Sequence, residues 1–191
     1  DPVNIKKEEL LNIANNSFSV IDFSKGEEMK EAILEAKKEK DSIGGVIECC
    51  ILGTPIGLGD PMFHGIENRL AQAVFGIPAI KGIEFGSGFQ GSERRGSENN
   101  DPYIIKDKRI TLETNNSGGI LGGISTGMPI IFRAAVKPTP SIGKEQKSVN
   151  ISKNLPTSLA IEGRHDPCIV PRAVPCMEAA SALVILDMLL G

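Results

Sequence analysis

Glu162-Gly163-Arg164-His165-Asp166-Pro167-Cys168-Ile169-Val170-Pro171-Arg172-Ala173-Val174-Pro175-Cys176-Met177-Glu178 joins a charged loop to the start of an apolar helix. The apolar run continues to Leu190 and predicts a buried helix over about 173–190, with Pro171 and Pro175 early in it. The loop brings Arg164, His165, Asp166 and Arg172 close together on the shoulder of that helix. Two arginines, an acid and an imidazole suit an anionic ligand, because hydrogen bonds from arginine to an anion are charge-assisted.

Each of these residues also has a plainer reading. Arg164 and Asp166 would form an exposed ion pair worth about 0–1 kcal/mol. In a desolvated pocket, an arginine–phosphate bond would contribute about 1.5–3 kcal/mol. Arg172 serves equally as a surface residue or as a second anion ligand. His165 reads as structural, and His64 as an ordinary surface or core histidine. No Ser–His–acid set lies in a nucleophile elbow, and no cysteine or histidine spacing fits a metal site.

Upstream, Asn115-Asn116-Ser117-Gly118-Gly119-Ile120-Leu121-Gly122-Gly123-Ile124-Ser125-Thr126-Gly127 carries paired glycines between two strand signals. It matches neither a dinucleotide fingerprint nor a Walker loop. It is either a tight connection where backbones cross or a cradle of N–H groups for a phosphate or planar ring. Lys137-Pro138-Thr139-Pro140-Ser141 is a stiff turn with one cation and two hydroxyls. Alone it is a turn; beside an anion site its polar groups become phosphate ligands.

The remaining elements alternate irregularly. Helices are expected over 6–14, over 24–40 with Ser24 and Glu27 as a capping box, and over 61–75. Strands are expected over 17–23, 43–52, 80–85, 109–114 and 129–136. Residues 87–102 read as a mobile, exposed loop, and 143–154 as a polar loop. Helices and strands mixed without strict alternation predict an α+β fold.

The 191 residues suit one domain with a sizeable core. Net charge is −3, with acids and bases interspersed, which gives no sign of a bulk polyanion or membrane-surface partner. The four cysteines lack a pattern and predict a reducing, cytoplasmic setting. The apolar tail 179–190 is interrupted by Asp187 and is read as too short to span a bilayer. The chain opens on Asp1-Pro2 rather than methionine, as expected of a trimmed chain or a piece of a larger one.

Taken together, five blocks resemble the chorismate synthase family in order and spacing. They are Gly57-Leu58-Gly59-Asp60-Pro61, Ile77-Pro78-Ala79-Ile80-Lys81-Gly82-Ile83-Glu84, the glycine segment 115–127, Lys137-Pro138-Thr139-Pro140-Ser141-Ile142, and Gly163 through Glu178. Cys176 replaces the aliphatic residue usual in the last block. Pro78 replaces a side-chain amide, so only its carbonyl would serve there. The family's histidine-bearing N-terminal half has no counterpart here, so residues 1–191 are expected to be the C-terminal half of one such domain. The resemblance implies a layered β/α/β sandwich.

The resemblance also implies an activity. Phosphate and a C6 hydrogen leave 5-enolpyruvylshikimate 3-phosphate in a 1,4-elimination that gives chorismate, in the shikimate pathway of aromatic amino-acid biosynthesis. Reduced FMN is the implied cofactor, with NADPH only as a flavin reductant. Arg164 would bind substrate or flavin, and Asp166 would sit near flavin N5 and assist proton removal. Pro78, Ala79, Gly122, Lys137, Pro138, Thr139, Pro140, Ser141 and Arg164 would hold FMN. A cytoplasmic homotetramer is implied for the full-length family, with no nucleic-acid or membrane partner. The half-length chain is expected to be inactive alone; the alternative is a non-catalytic half-domain that binds FMN or phosphate, or self-associates.

Overall fold

The computed structural model describes residues 7–14, 16, 18–163 and 165–191. At its centre is an antiparallel sheet of β1 (Gly45–Ile51), β7 (Ile130–Val136) and β2 (Ile80–Phe85), in that order. The middle strand is the most apolar, as befits a strand bonded on both edges. In register, Ile47 faces Ala134, Cys49 faces Phe132, and Phe85 faces Phe132 from the other side. Strand periodicity therefore puts Ile47, Cys49, Ile130, Phe132, Ala134 and Val136 on one face.

Two helices cover that face: α3 (Ile66–Phe75) and α5 (Val170–Leu190). Ile66, Leu70 and Val74 recur at helical spacing and are fully buried, as is Met177 of α5. Arg69 pairs with Asp187 across the two helices. On the opposite sheet face Arg133 bridges to its cross-strand neighbour Glu84 at 2.8 Å. Cys49 and Cys50, adjacent in β1, thus point to opposite faces, as strand geometry requires.

The outer elements are smaller. Helix α1 (Lys7–Ala14) and helix α2 (Phe23–Lys38) precede the sheet. A short helix α4 (Gly96–Asn99) leads into the hairpin of β3 (Tyr103–Lys106) and β4 (Arg109–Leu112). The glycine segment forms the tight hairpin of β5 (Ile120–Leu121) and β6 (Ile124–Ser125). A last hairpin pairs β8 (Gln146–Asn150) with β9 (Leu155–Leu159). The fold is α+β, as the irregular alternation predicts, and the described residues supply one sheet layer and one helix layer.

Several local expectations are corrected. Asp22, not Ser24, caps α2: its carboxylate accepts from Ser24 N at 2.9 Å and Lys25 N at 3.1 Å. Residues 18–22 form no strand, because they turn back on α2, where Val20 packs on Gly26; Ser17 lies outside the described residues. The helix expected from Pro61 splits into a 3-10 turn at Met62–His64 and α3. The break falls at Gly65, where Ile66 N–H donates to Gly123 O at 2.9 Å, so the glycine hairpin takes over the capping role.

Residues 87–102 are folded rather than loose. Ser87 N–H donates to Asn116 O at 2.7 Å, and Arg94 Nη1 to Asn116 Oδ1 at 2.8 Å. Strands β3, β8 and β9 escape sequence reading because their side chains are mostly exposed and leave little burial alternation to detect. Helix α5 begins at Val170, three residues early, with Pro171 in its first turn, where the missing N–H costs little. Taken whole, α5 is long and apolar enough to cross a membrane by length and composition, with mean hydropathy 1.8. The expected buried helix is buried on one side only: Ala173, Met177, Ser181 and Ile185 face the fold, while Leu183, Leu186, Leu189 and Leu190 are exposed.

Candidate functional site

One end of the central sheet gathers most of the residues singled out in sequence. Strand β7 ends at Val136, whose register partners are Gly45 at the start of β1 and Ile80 at the start of β2. The chain leaves β7 directly into Lys137–Ser141. Lys137 N–H donates to Ala79 O at 2.9 Å, so Pro78-Ala79 and the lysine turn are joined. The Ala79 carbonyl is presented by a tight turn, Ile77-Pro78-Ala79-Ile80, in which Ala79 has φ +73°. Proline then a left-handed residue is the type II pattern, which favours glycine at the second place.

The Asp166 loop reaches the same end. Pro167 O accepts from Ile43 N–H at 2.8 Å, and Val170 at the start of α5 abuts Gly45. Asp166 Oδ2 accepts from Arg172 Nη1 at 2.7 Å, which leaves Oδ1 without that ion-pair contact. The pair is partly open, with side-chain exposures of 35% for Asp166 and 70% for Arg172. His165 Nε2 bonds to Ile161 O at 2.9 Å. Since a carbonyl only accepts, that nitrogen carries its proton, in keeping with a structural histidine. Arg164 lies outside the described residues.

Gly122 is not brought to this end. Its hairpin packs near the N-terminus of α3, where Gly123 meets Gly65 and Asp60. The seven residues of β7 separate the two places by roughly 20 Å at strand rise. Gly122 itself is open: it has φ +60° and nothing within 4 Å of where a Cβ would stand.

A segment that the sequence did not single out ties this end together. Between α2 and β1, Ser42 Oγ donates to Thr139 O at 2.6 Å. Lys144 Nζ reaches Asp41 Oδ2 at 3.0 Å and Glu39 Oε2 at 3.5 Å. The Lys144 contact holds the Asp41 carboxyl below its ordinary value. Gly44 lies so close that a Cβ would come within 2.3 Å of Val136 O. Nothing in Asp41-Ser42-Ile43-Gly44 announces these contacts, since they span about a hundred residues; only glycine at 44 hints at a close approach.

The residues at this end suit a phosphorylated or polyanionic ligand. Lys137 is exposed, Ser141 is half-buried, and Thr139 Oγ1 is buried with no hydrogen-bond partner among the described residues. A buried hydroxyl without a partner costs about 1–3 kcal/mol, which a ligand oxygen would recover. The thiols are poor nucleophile candidates. Burial raises Cys49 and Cys168, and pushes Cys50 up to about 11, so all three stay protonated near neutrality. Among the described residues no group of three or more His, Cys, Asp or Glu is placed to hold a metal.

Sheet, helices and clustered loops define an α+β unit with its candidate residues gathered at one sheet end, and comparison with known proteins gives it a family. The chorismate synthase profile matches residues 3–190, and this chain belongs to the chorismate synthase family. It is 51% identical to the chorismate synthase of Dehalococcoides mccartyi over 179 residues, covering 94% of this chain and 49% of that protein. It is 56% identical to the chorismate synthase of Archaeoglobus fulgidus over 152 residues, 80% of this chain and 42% of that one. A crystal structure of chorismate synthase superposes with a TM-score of 0.75 at 34% identity, covering 97% of this chain and 49% of that chain. The chain thus spans about half the length of the curated relatives it matches.

Proposed function

We propose that residues 1–191 form the C-terminal half of a single chorismate synthase domain and supply one wall of its active site. The reaction is the 1,4-elimination of phosphate from 5-enolpyruvylshikimate 3-phosphate to give chorismate. The observation that carries this reading is the joining of Ala79 to Lys137 by a backbone hydrogen bond, at the sheet end that also holds Asp166.

Pro78, Ala79 and Lys137 through Ser141 are the residues of this end that would hold FMN, with Arg164 as a further ligand by family resemblance; Gly122, implied by the same resemblance, lies at the other end of β7 and would not share their contact. Bound there, reduced FMN would supply transient electron density to the departing phosphate, with no net redox change. The chain's own work is binding and proton handling. Lys137 offsets anionic charge, and the Thr139 and Ser141 hydroxyls donate to phosphate oxygens. Asp166, its Oδ2 held by Arg172, would assist removal of the proton from substrate C6. Arg164 pairs with the substrate's anionic groups. NADPH enters only as a reductant of the flavin.

The chain spans about half the length of its relatives, and on this reading the other half supplies further cations and acids, so the 191 residues are expected to be inactive alone. Chorismate formation is measured anaerobically with reduced FMN; robust turnover by the 191-residue chain sinks the inactivity. FMN fluorescence titration tests the binding role, and no binding at millimolar protein counts against it. The whole enzyme is read as a cytoplasmic homotetramer.

A second reading, a self-associating half-domain, is favoured by one observation. Leu183, Leu186, Leu189 and Leu190 on α5 are all more than half exposed. Such a stripe drives association if nothing covers it. Light scattering decides: a clean monomer at high concentration argues against this reading.

A further inference from the structure

We infer that Ser42 is a positioning residue of this site, and that with Ile43 it bridges the Lys137–Ser141 turn to the Asp166 loop. The inference rests on the reading of that turn and loop as a cofactor and substrate wall. Ser42 Oγ holds Thr139 O at 2.6 Å, and the very next amide, Ile43 N–H, holds Pro167 O at 2.8 Å. The peptide between Ser42 and Ile43 is planar and stiff. Only the χ1 and ψ torsions of Ser42 separate its hydroxyl from the Ile43 amide, so the two walls are joined through a short linkage.

The segment is fixed on its remaining sides. Ser42 N–H donates to Asp41 Oδ1 at 2.8 Å. Lys144 N–H donates to Lys40 O at 3.0 Å, and Lys144 Nζ to Asp41 Oδ2 at 3.0 Å. Gly44 admits the turn closely, with Pro138 Cδ only 3.0 Å from where a Cβ would lie. The Ser42 hydroxyl adds one specific thing to this frame. It pins the Thr139 carbonyl, and with it the plane of the Thr139–Pro140 peptide. The Thr139 hydroxyl, buried and partnerless among the described residues, is then left for a ligand oxygen.

The test compares Ser42→Ala and Ser42→Thr in the full 191-residue chain, by amide hydrogen exchange and FMN titration. Ser42→Ala is expected to speed exchange at Ile43, Lys137 and Lys144 together, with β7 amides unchanged. Its FMN Kd is expected to rise about five- to tenfold, equivalent to about 1–1.4 kcal/mol. Ser42→Thr, which keeps the hydroxyl, is expected to restore both. Unchanged exchange at Ile43 and Lys137 overturns the inference, as does protection lost equally across β7. If the unmodified chain binds no FMN while Ser42→Ala still loosens both loops, the cofactor reading falls and the bridge stands.

Discussion

Arg172 reaches across the start of α5 to hold Asp166, Nη1 to Oδ2 at 2.7 Å. The two residues lie on either side of the loop-to-helix junction, so the contact orients the carboxylate relative to the helix. Because Arg172 is largely exposed, the pair is worth little to the fold. Arg172→Ala is expected to change unfolding free energy by less than about 1 kcal/mol, an effect that shrinks further in 1 M salt. Urea unfolding at low and high salt measures it. A loss of several kcal/mol would mean that the pair is structural.

Ala79 sits at φ +73°, where a Cβ is strained. Ala79→Gly relieves that strain and keeps the carbonyl that accepts from Lys137. The gain outweighs the greater freedom of glycine in the unfolded chain, so a rise of about 0.5–1 kcal/mol in stability is expected. A lower urea midpoint for the variant would refute it.

Gly122 and Gly123 are neighbours with very different surroundings. A Cβ on Gly123 would lie 2.4 Å from Asp60 O, whereas one on Gly122 meets nothing. Gly122→Ala should cost only its backbone strain, about 1–2 kcal/mol. Gly123→Ala must also push the hairpin off α3, and is expected to cost clearly more. Equal midpoints for the two variants would show that the hairpin contact is not tight.

Asp101 anchors the glycine segment from outside it. Its Oδ1 accepts from Thr114 Oγ1 at 2.6 Å and Asn116 N at 2.7 Å, and its Oδ2 from Ser117 N at 2.9 Å. Burial by itself would raise this carboxyl, but the three donors outweigh it and hold it below its ordinary value. The folded form thus binds its proton less readily than the unfolded chain. The resulting stability is present above the unfolded value near about 3.9 and is lost as pH falls through the lower folded value. Asp101→Asn is expected to lower Tm at pH 7, with the gap to the unmodified chain closing below about pH 4. A pH-independent gap would assign the effect to packing.

Phe132 is fully buried at the middle of β7, its ring centroid 5.6 Å from that of Phe85 with the two planes tilted by 39°. Phe132→Leu is expected to cost less than Phe132→Ala, for which about 3–5 kcal/mol is typical. Denaturant midpoints of the two variants measure the difference.

The sequence by itself determined the α+β class, the central apolar strands, the apolar face of α3 and the presence of an apolar C-terminal helix, because burial and helical spacing leave a record in residue type. It also determined the family, because glycine, proline and charged residues recur in ordered blocks from residue 57 to 178. Tertiary structure alone decided that Ala79, Lys137 and Asp166 share one end of a sheet while Gly122 lies about 20 Å away, at the other end of β7. It alone revealed Ser42, whose partner is 97 residues distant. Exposed hairpins such as β8–β9 were illegible for the converse reason: with little side-chain burial, their pairing leaves no pattern in the residues. A long-range hydrogen bond likewise depends on where the backbone goes, and a serine's identity carries no trace of which carbonyl it will meet.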